Sequence, residues 1–251
     1  MISLHRLVQV AFLERNFEPG SPDLQKLFEE VSTVLHHEFP QSKSTSYWGR
    51  WQACAKYLPH GLSLIRFYRK QSVFKPRLHA SKDALWLWID CSWYLYESGD
   101  FQESVALLET ATNACDDTSG LQYAYLQSHI SCSYFELHDV EKAKEAIEMA
   151  VSIREKLLPE DDLDRVNGVS NHGLILLSEC EFEKALDVFK HCAKIRGEIV
   201  QKGKTKIDYL AASHLHMAMA YVQMGKLDEA DRALDKTEEL IRHDYEYLKS
   251  L

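Results

Sequence analysis

The stretch HLHMAMAYVQMGKLDEADRALDKT, residues 214–237, decides the fold. It reads as two amphipathic helices joined at Gly225-Lys226, with Leu227, Ala230 and Leu234 at spacings of three and four on one face of the second. Ala218 is small where a partner helix must cross closely, and Tyr221 is bulky one turn later, where it fills the groove beside that crossing. Three upstream segments align with this one without gaps. They are WIDCSWYLYESGDFQESVALLETA (88–111), QSHISCSYFELHDVEKAKEAIEMA (127–150) and VSNHGLILLSECEFEKALDVFKHC (169–192). The fifth place is small throughout (Ser92, Ser131, Gly173, Ala218) and the eighth is large (Leu95, Tyr134, Leu176, Tyr221). After the turn come an apolar residue (Phe101, Val140, Phe182, Leu227), a small one (Ser104, Ala143, Ala185, Ala230) and a large one (Leu108, Ile147, Phe189, Leu234).

One such hairpin cannot bury its apolar face alone, whereas stacking the next hairpin buries it, so the pattern predicts an all-α solenoid with a concave side. Gly99-Asp100 and Gly225-Lys226 supply the left-handed residue that ends a first helix. His138-Asp139 and Cys180-Glu181 stand in the same place less comfortably. The turns at 99, 138, 180 and 225 are 39, 42 and 45 residues apart, against about 34 for the standard tetratricopeptide unit. The four segments resemble tetratricopeptide repeats of the longer kind seen in kinesin light chains and in the C-terminal arrays of signalling ATPases, and that resemblance implies a right-handed superhelix of helix hairpins. Ile-Arg recurs near the ends of the second helices (Ile153-Arg154, Ile195-Arg196, Ile241-Arg242), a placement that also suits cations at helix C-termini.

Composition agrees with a packed helical protein: 45% hydrophobic and 27% charged residues, with only 10 Gly and 6 Pro in 251. No uncharged apolar run approaches the roughly 18–20 residues of a membrane span. Met1-Ile2-Ser3-Leu4-His5-Arg6 is unlike a signal peptide, so a cytoplasmic protein is expected. The six cysteines form no CxxC pair and are read as reduced thiols. The net charge of −9 is unevenly spread. Phe39 to Lys82 contains nine Lys or Arg and no acid, which suits a solvated basic face, intramolecular docking or an acidic partner. No nucleic-acid module is recognisable.

Residues 1–84 are mostly helical in pattern. Leu24, Leu27, Phe28, Val31, Val34 and Leu35 keep helical spacing up to Phe39-Pro40, and a second run covers Trp48, Trp51, Cys54, Ala55 and Leu58. SLHRLVQ (3–9), EFP (38–40), WQAC (51–54) and YLPH (57–60) resemble, in order, the segment after the NTPase module in fungal NB-ARC/tetratricopeptide proteins, which are signal-transducing ATPases of NLR-like architecture. The resemblance divides the chain into a winged-helix remnant at 1–15, a helical linker with leading hairpins at 16–84, and an array of about four units at 85–251. It also implies an NTPase partner in cis or in trans, or self-association. The ATPase's phosphate loop is not in this sequence. Gly203-Lys204-Thr205 has Gly197 six residues before Gly203 where five are required, and it sits in a helix–helix link.

Catalysis is not expected. His36-His37 and His214/His216 face different ways on a helix, no HExxH occurs, and Cys192 only adjoins His191 in sequence. No cofactor, metal, nucleic acid or membrane is predicted. Repeat geometry places a peptide-binding groove on the first helices. Its candidate residues are Trp86, Ile89, Asp90 and Trp93; Tyr125, Ser128, His129 and Cys132; Asn167, Ser170, Asn171 and Leu174; and Leu215, His216 and Met219. Asn171 is the sharpest, because an amide offers both donor and acceptor to a peptide backbone. The set has no Lys or Arg, which excludes a clamp for a terminal carboxylate. Trp86, Trp88, Trp93, Tyr94 and Tyr96 divide between hairpin packing, expected of Trp88, and a gripping platform.

Overall fold

The computed structural model describes residues 18–41, 48–203 and 207–250. The remnant expected at 1–15, the 3–9 motif, Lys43 and Lys204-Thr205 lie outside them. Among the described residues there are ten α-helices, one short 3-10 turn and no strand. The chain forms two compact units, Met1–Thr118 and Ser119–Leu251.

The first unit holds α1 (Pro22–Glu38), the 3-10 turn Trp48–Arg50, α2 (Trp51–Gln71), α3 (Lys82–Glu97) and α4 (Phe101–Ala114). Ser21 caps α1 through the Leu24 amide, with Pro22 at the first helical position, and Ser81 caps α3 through the Ala84 amide. Trp88 is wholly buried, its ring 6.4 Å from that of Phe28 on α1 and 5.3 Å from that of Tyr68 on α2. Trp88 is therefore a packing residue that ties the leading helices to the first repeat. Part of the basic segment docks within this unit. Arg69 donates to Thr110 Oγ1 at 2.6 Å and to the Ala106 carbonyl on α4, and Arg66 lies 3.8 Å from Glu103.

The second unit holds α5 (Leu121–Glu136), α6 (Val140–Leu157), α7 (Leu163–Ser178), α8 (Phe182–Gln201), α9 (Asp208–Gln223) and α10 (Leu227–Ser250). With α3–α4, these helices are the four hairpins of the aligned segments. Each first helix ends in the same pair of hydrogen bonds. The residue at the turn donates three residues back, and the next donates five back to the carbonyl of the large eighth residue: Asp100 to Leu95, Asp139 to Tyr134, Glu181 to Leu176 and Lys226 to Tyr221. This is a Schellman ending. Asp100 and Asp139 then cap the second helices through the Glu103 and Lys142 amides, so one residue closes one helix and opens the next.

That ending requires positive φ, which is 84° and 71° at Gly99 and Gly225 but 61° at His138 and 63° at Cys180. A side chain at such a φ costs roughly 1–3 kcal/mol, while glycine loses more chain entropy on folding. Cys180→Gly and His138→Gly, at exposed positions, are each expected to add about 0.5–1 kcal/mol of stability. A higher urea midpoint at unchanged slope would show it.

The small residues lie where the two helices of a hairpin cross. Ser104 Oγ donates to the Ser92 carbonyl at 3.1 Å and Ser131 Oγ to the Ala143 carbonyl at 2.6 Å, so hydroxyls bridge the crossing. At Gly173 even a Cβ would come within 2.5 Å of the Phe189 ring. In the second unit Ala124, Ile147, Ala150 and Ile175 form one buried cluster, and Ala185, Leu186, Phe189 and Ala220 another. Each cluster draws on adjoining hairpins, as a stacked array requires.

Candidate functional site

The candidate residues divide by unit. Trp86, Ile89, Asp90 and Trp93 lie on α3 in the first unit, where Ile89 and Asp90 are buried and Trp93 stacks on Tyr96 with centroids 5.0 Å apart. The others lie on α5, α7 and α9, the first helices of the second unit, and polar contacts link those helices in series. Asn171 Nδ2 points to Cys132 Sγ at 3.7 Å, joining α7 to α5. Tyr125 on α5 bonds Asp164 on α7, and Ser170 Oγ on α7 lies within hydrogen-bond distance of His216 Nδ1 on α9, at 3.3 Å.

Burial sorts these residues further. Ser128 and Ser170 are buried, whereas Tyr125, His129, Cys132, Asn167, Asn171, Leu174 and His216 are half-buried and Leu215 and Met219 are exposed. Burial pushes the Cys132 thiol up to about 12, so it remains protonated and is a weak nucleophile. His216 packs on Phe189 at 5.1 Å between centroids, and burial, followed by the nearby charge of Arg196, lowers it to about 4. The imidazole is therefore neutral near pH 7 and offers a hydrogen bond without a charge.

Beneath this face lie two arginines that the candidate set omitted. Arg154 and Arg196 are each 3% exposed. Arg196 Nη1 donates to Ser213 Oγ at 2.7 Å and to the Tyr209 carbonyl at 3.2 Å, with Ser170 Oγ at 3.5 Å, and Nη2 donates to Asn167 Oδ1 at 2.8 Å. Arg154 donates to Ser128 and lies over the Tyr125 ring at 5.1 Å. Burial pulls both guanidiniums below their usual range, and the Nε of each has no hydrogen-bond partner. Arg196 on α8 bonds both α7 of its own hairpin and α9 of the next, whereas Arg154 on α6 bonds α5 of its own hairpin and lies against α7 of the next. Arg154 comes so near Gly168 that a Cβ there would lie 3.0 Å from Nη1.

The sequence signal for them was a register. Arg154 and Arg196 each stand 26 residues after a serine at the second place of their own unit, Ser128 and Ser170. Arg242 is one residue out of that register, since Ile241 stands 26 after Leu215. Arg242 is accordingly exposed and pairs with Glu238 one turn back. The Ile-Arg recurrence thus joins two interior residues to one surface residue.

Elsewhere a cavity of about 200 Å³ is lined by Val166, Val169, Cys192 and Ile195 with Glu155, Glu160, Arg165 and His191 at its rim. Among the described residues no group of His, Cys, Asp or Glu is placed to hold a metal ion, and no helix is long and apolar enough to cross a membrane.

A stacked set of helix hairpins with aligned first helices defines the class: a tetratricopeptide-type repeat structure. Residues 211–243 match the tetratricopeptide repeat family. Among solved structures, BtubC (BKLC) from P. vanneervenii aligns at TM-score 0.61 and 10% identity, over 87% of this chain and 92% of its own. A Podosopora anserina kinesin light chain with nearly identical TPR-like repeats aligns at 0.54 and 15%, over 79% and 96%. MamA aligns at 0.51 and 16%, over 74% and 92%. At these identities the likeness concerns the fold. No curated protein matches in sequence.

Proposed function

We propose that the chain is a non-catalytic protein-interaction scaffold that holds a peptide segment of a partner against the face formed by α5, α7 and α9. The observation behind this reading is the row of half-buried polar side chains, Tyr125, His129, Asn167, Asn171 and His216, across three helices, of which α7 and α9 are tied by the buried Arg196 and α5 and α7 by Asn171. Half-buried amide, phenol and imidazole groups can exchange hydrogen bonds with a peptide backbone, and they do so without the desolvation cost of a full charge. Leu174, Met219 and Leu215 supply apolar contact beside them.

Asn171 is the residue most exchangeable for a ligand, because its amide donates to a weak sulfur acceptor, Cys132 Sγ. Asn171→Ala with His129→Ala is expected to weaken partner binding by about 10-fold or more, while circular dichroism and the unfolding midpoint hold. Isothermal titration against partners recovered by crosslinking provides the measurement, and unchanged affinity in the double variant would sink the assignment.

Two finer readings share this site. The sensor part of an NLR-like ATPase rests on the order of the short motifs between residues 3 and 60. A cargo or assembly adaptor like kinesin light chains is favoured by fold likeness to kinesin light chain repeats. Translating the genomic sequence upstream of Met1 separates them, because a phosphate-loop coding stretch in frame supports the first and its absence weakens it.

A further inference from the structure

Six places in each repeat carry the contact between one hairpin and the next: the second, sixth, ninth, fourteenth, twenty-first and twenty-eighth. In the hairpins α5–α6 and α7–α8 they are all buried or half-buried. They are Ser128, Cys132, Phe135, Val140, Ile147 and Arg154 in the one, and Ser170, Leu174, Leu177, Phe182, Phe189 and Arg196 in the other. In α9–α10 all six are exposed and all six are large and apolar: Leu215 42%, Met219 43%, Val222 49%, Leu227 62%, Leu234 43% and Ile241 53%. Where the inner hairpins carry a buried serine and arginine, this one carries Leu215 and Ile241. The α9–α10 hairpin therefore presents six large apolar side chains at the places where the inner hairpins make their stacking contact.

The edge of this face is acidic. On α10, helical spacing places Asp228, Asp231, Asp235 and Glu238 along the outer side of the Leu227–Leu234–Ile241 stripe, all exposed, with Arg242 tied to Glu238. Two copies of the face pressed together would set these carboxylates against each other. A basic, apolar surface suits it, and the chain carries one. The acid-free segment ends in an exposed loop after α2, where Val73 is 78% and Phe74 39% exposed and Lys75 and Arg77 stand beside them in solvent.

We infer that the α9–α10 end of one molecule docks on the Val73–Arg77 loop of a second copy, giving head-to-tail self-association. Apolar side chains supply the contact and the acidic edge selects the basic loop over a second acidic face. Such an interface is heterologous, so it leaves one open end of each kind on every dimer and grows into rings or open chains. Its α10 side, Leu227, Leu234 and Ile241, lies outside the polar row of α5, α7 and α9, while Leu215 and Met219 on α9 are common to both.

The test is sedimentation and light scattering on the full chain. The wild-type chain is expected to form species larger than dimers as concentration rises, with affinity weakened about 10-fold between low and high salt. Leu234→Glu/Ile241→Glu blocks one end and Val73→Glu/Phe74→Glu the other. Each variant alone is expected to be monomeric with an unchanged helical signal, since all four residues are exposed. Mixed, they retain one good end of each kind and are expected to form a 1:1 dimer and nothing larger. A monomeric wild type at all concentrations overturns the proposal. So does a mixture that stays monomeric, or a dimer strengthened by salt, which would indicate two acidic faces pairing.

Discussion

Phe189→Ala is expected to lower the stability of the second unit by about 3–5 kcal/mol, the range for emptying a buried aromatic site. Phe189 is fully buried among Ala185, Leu186 and Ala220, and its ring also meets His216 and the Gly173 backbone. It therefore joins a hairpin crossing to the contact between hairpins, and its removal loosens both. The partner site gives the same argument in reverse. A methyl at Gly173 would lie 2.5 Å from the ring and 2.9 Å from Val188 Cγ1, so Gly173→Ala overpacks at a cost of about 1–3 kcal/mol. Against that stands roughly 1 kcal/mol gained from helix propensity. In the Phe189→Ala background the ring is absent while the Val188 contact remains, so Gly173→Ala should cost clearly less there than in the wild type. A double-mutant cycle read by denaturant unfolding and by hydrogen exchange in α7 and α8 measures the coupling. Additive effects would mean that the small fifth residue is not set by its neighbour's ring.

The hairpins were legible because their determinants are local or periodic. The positions of Ser92, Ser131, Gly173 and Ala218, each three residues before a bulky one, specify a close crossing whatever the neighbours are, and the turn positions follow from helix-ending chemistry. The left-handed His138 and Cys180 were readable only through the alignment with Gly99 and Gly225, since neither residue type signals that conformation. The site was harder to read because its composition depends on side-chain contacts between the two helices of a hairpin. Ser128 and Ser170 look like groove residues by their place on the first helix, yet an arginine from the second helix lies against each and buries it. Asn167 was read as facing a ligand, and it accepts a hydrogen bond from Arg196. A pairing across 26 residues between polar residue types has no periodic signature of its own. It shows only when two units share it and the units flanking them replace it with Ile89/Cys115 and Leu215/Ile241.

Burial of His216, with Arg196 beside it, is expected to make the second unit sensitive to acid. His216 is held at about 4 against an ordinary value of 6.5, first by burial and then by the charge of Arg196. Between those two values the unfolded chain binds a proton that the folded chain does not, so stability falls as pH drops from about 6.5 to about 4 and the histidine adds no further loss below that. At about 1.4 kcal/mol per unit of displacement, the histidine accounts for roughly 3 kcal/mol over that window. The comparison that isolates it is His216→Asn, which keeps a polar group near Ser170 but does not titrate. The difference in unfolding free energy between the wild type and this variant should slope between pH 6.5 and 4 and be flat at higher pH. Arg196→Met separates the two causes. Removing the charge should raise the histidine's pKa only partway, because burial is the larger cause, and the slope should shrink without vanishing. A slope abolished by Arg196→Met would assign the whole effect to the cation; a slope unchanged by it would place the guanidinium too well screened by Asn167, Ser213 and the Tyr209 carbonyl to act on its neighbour.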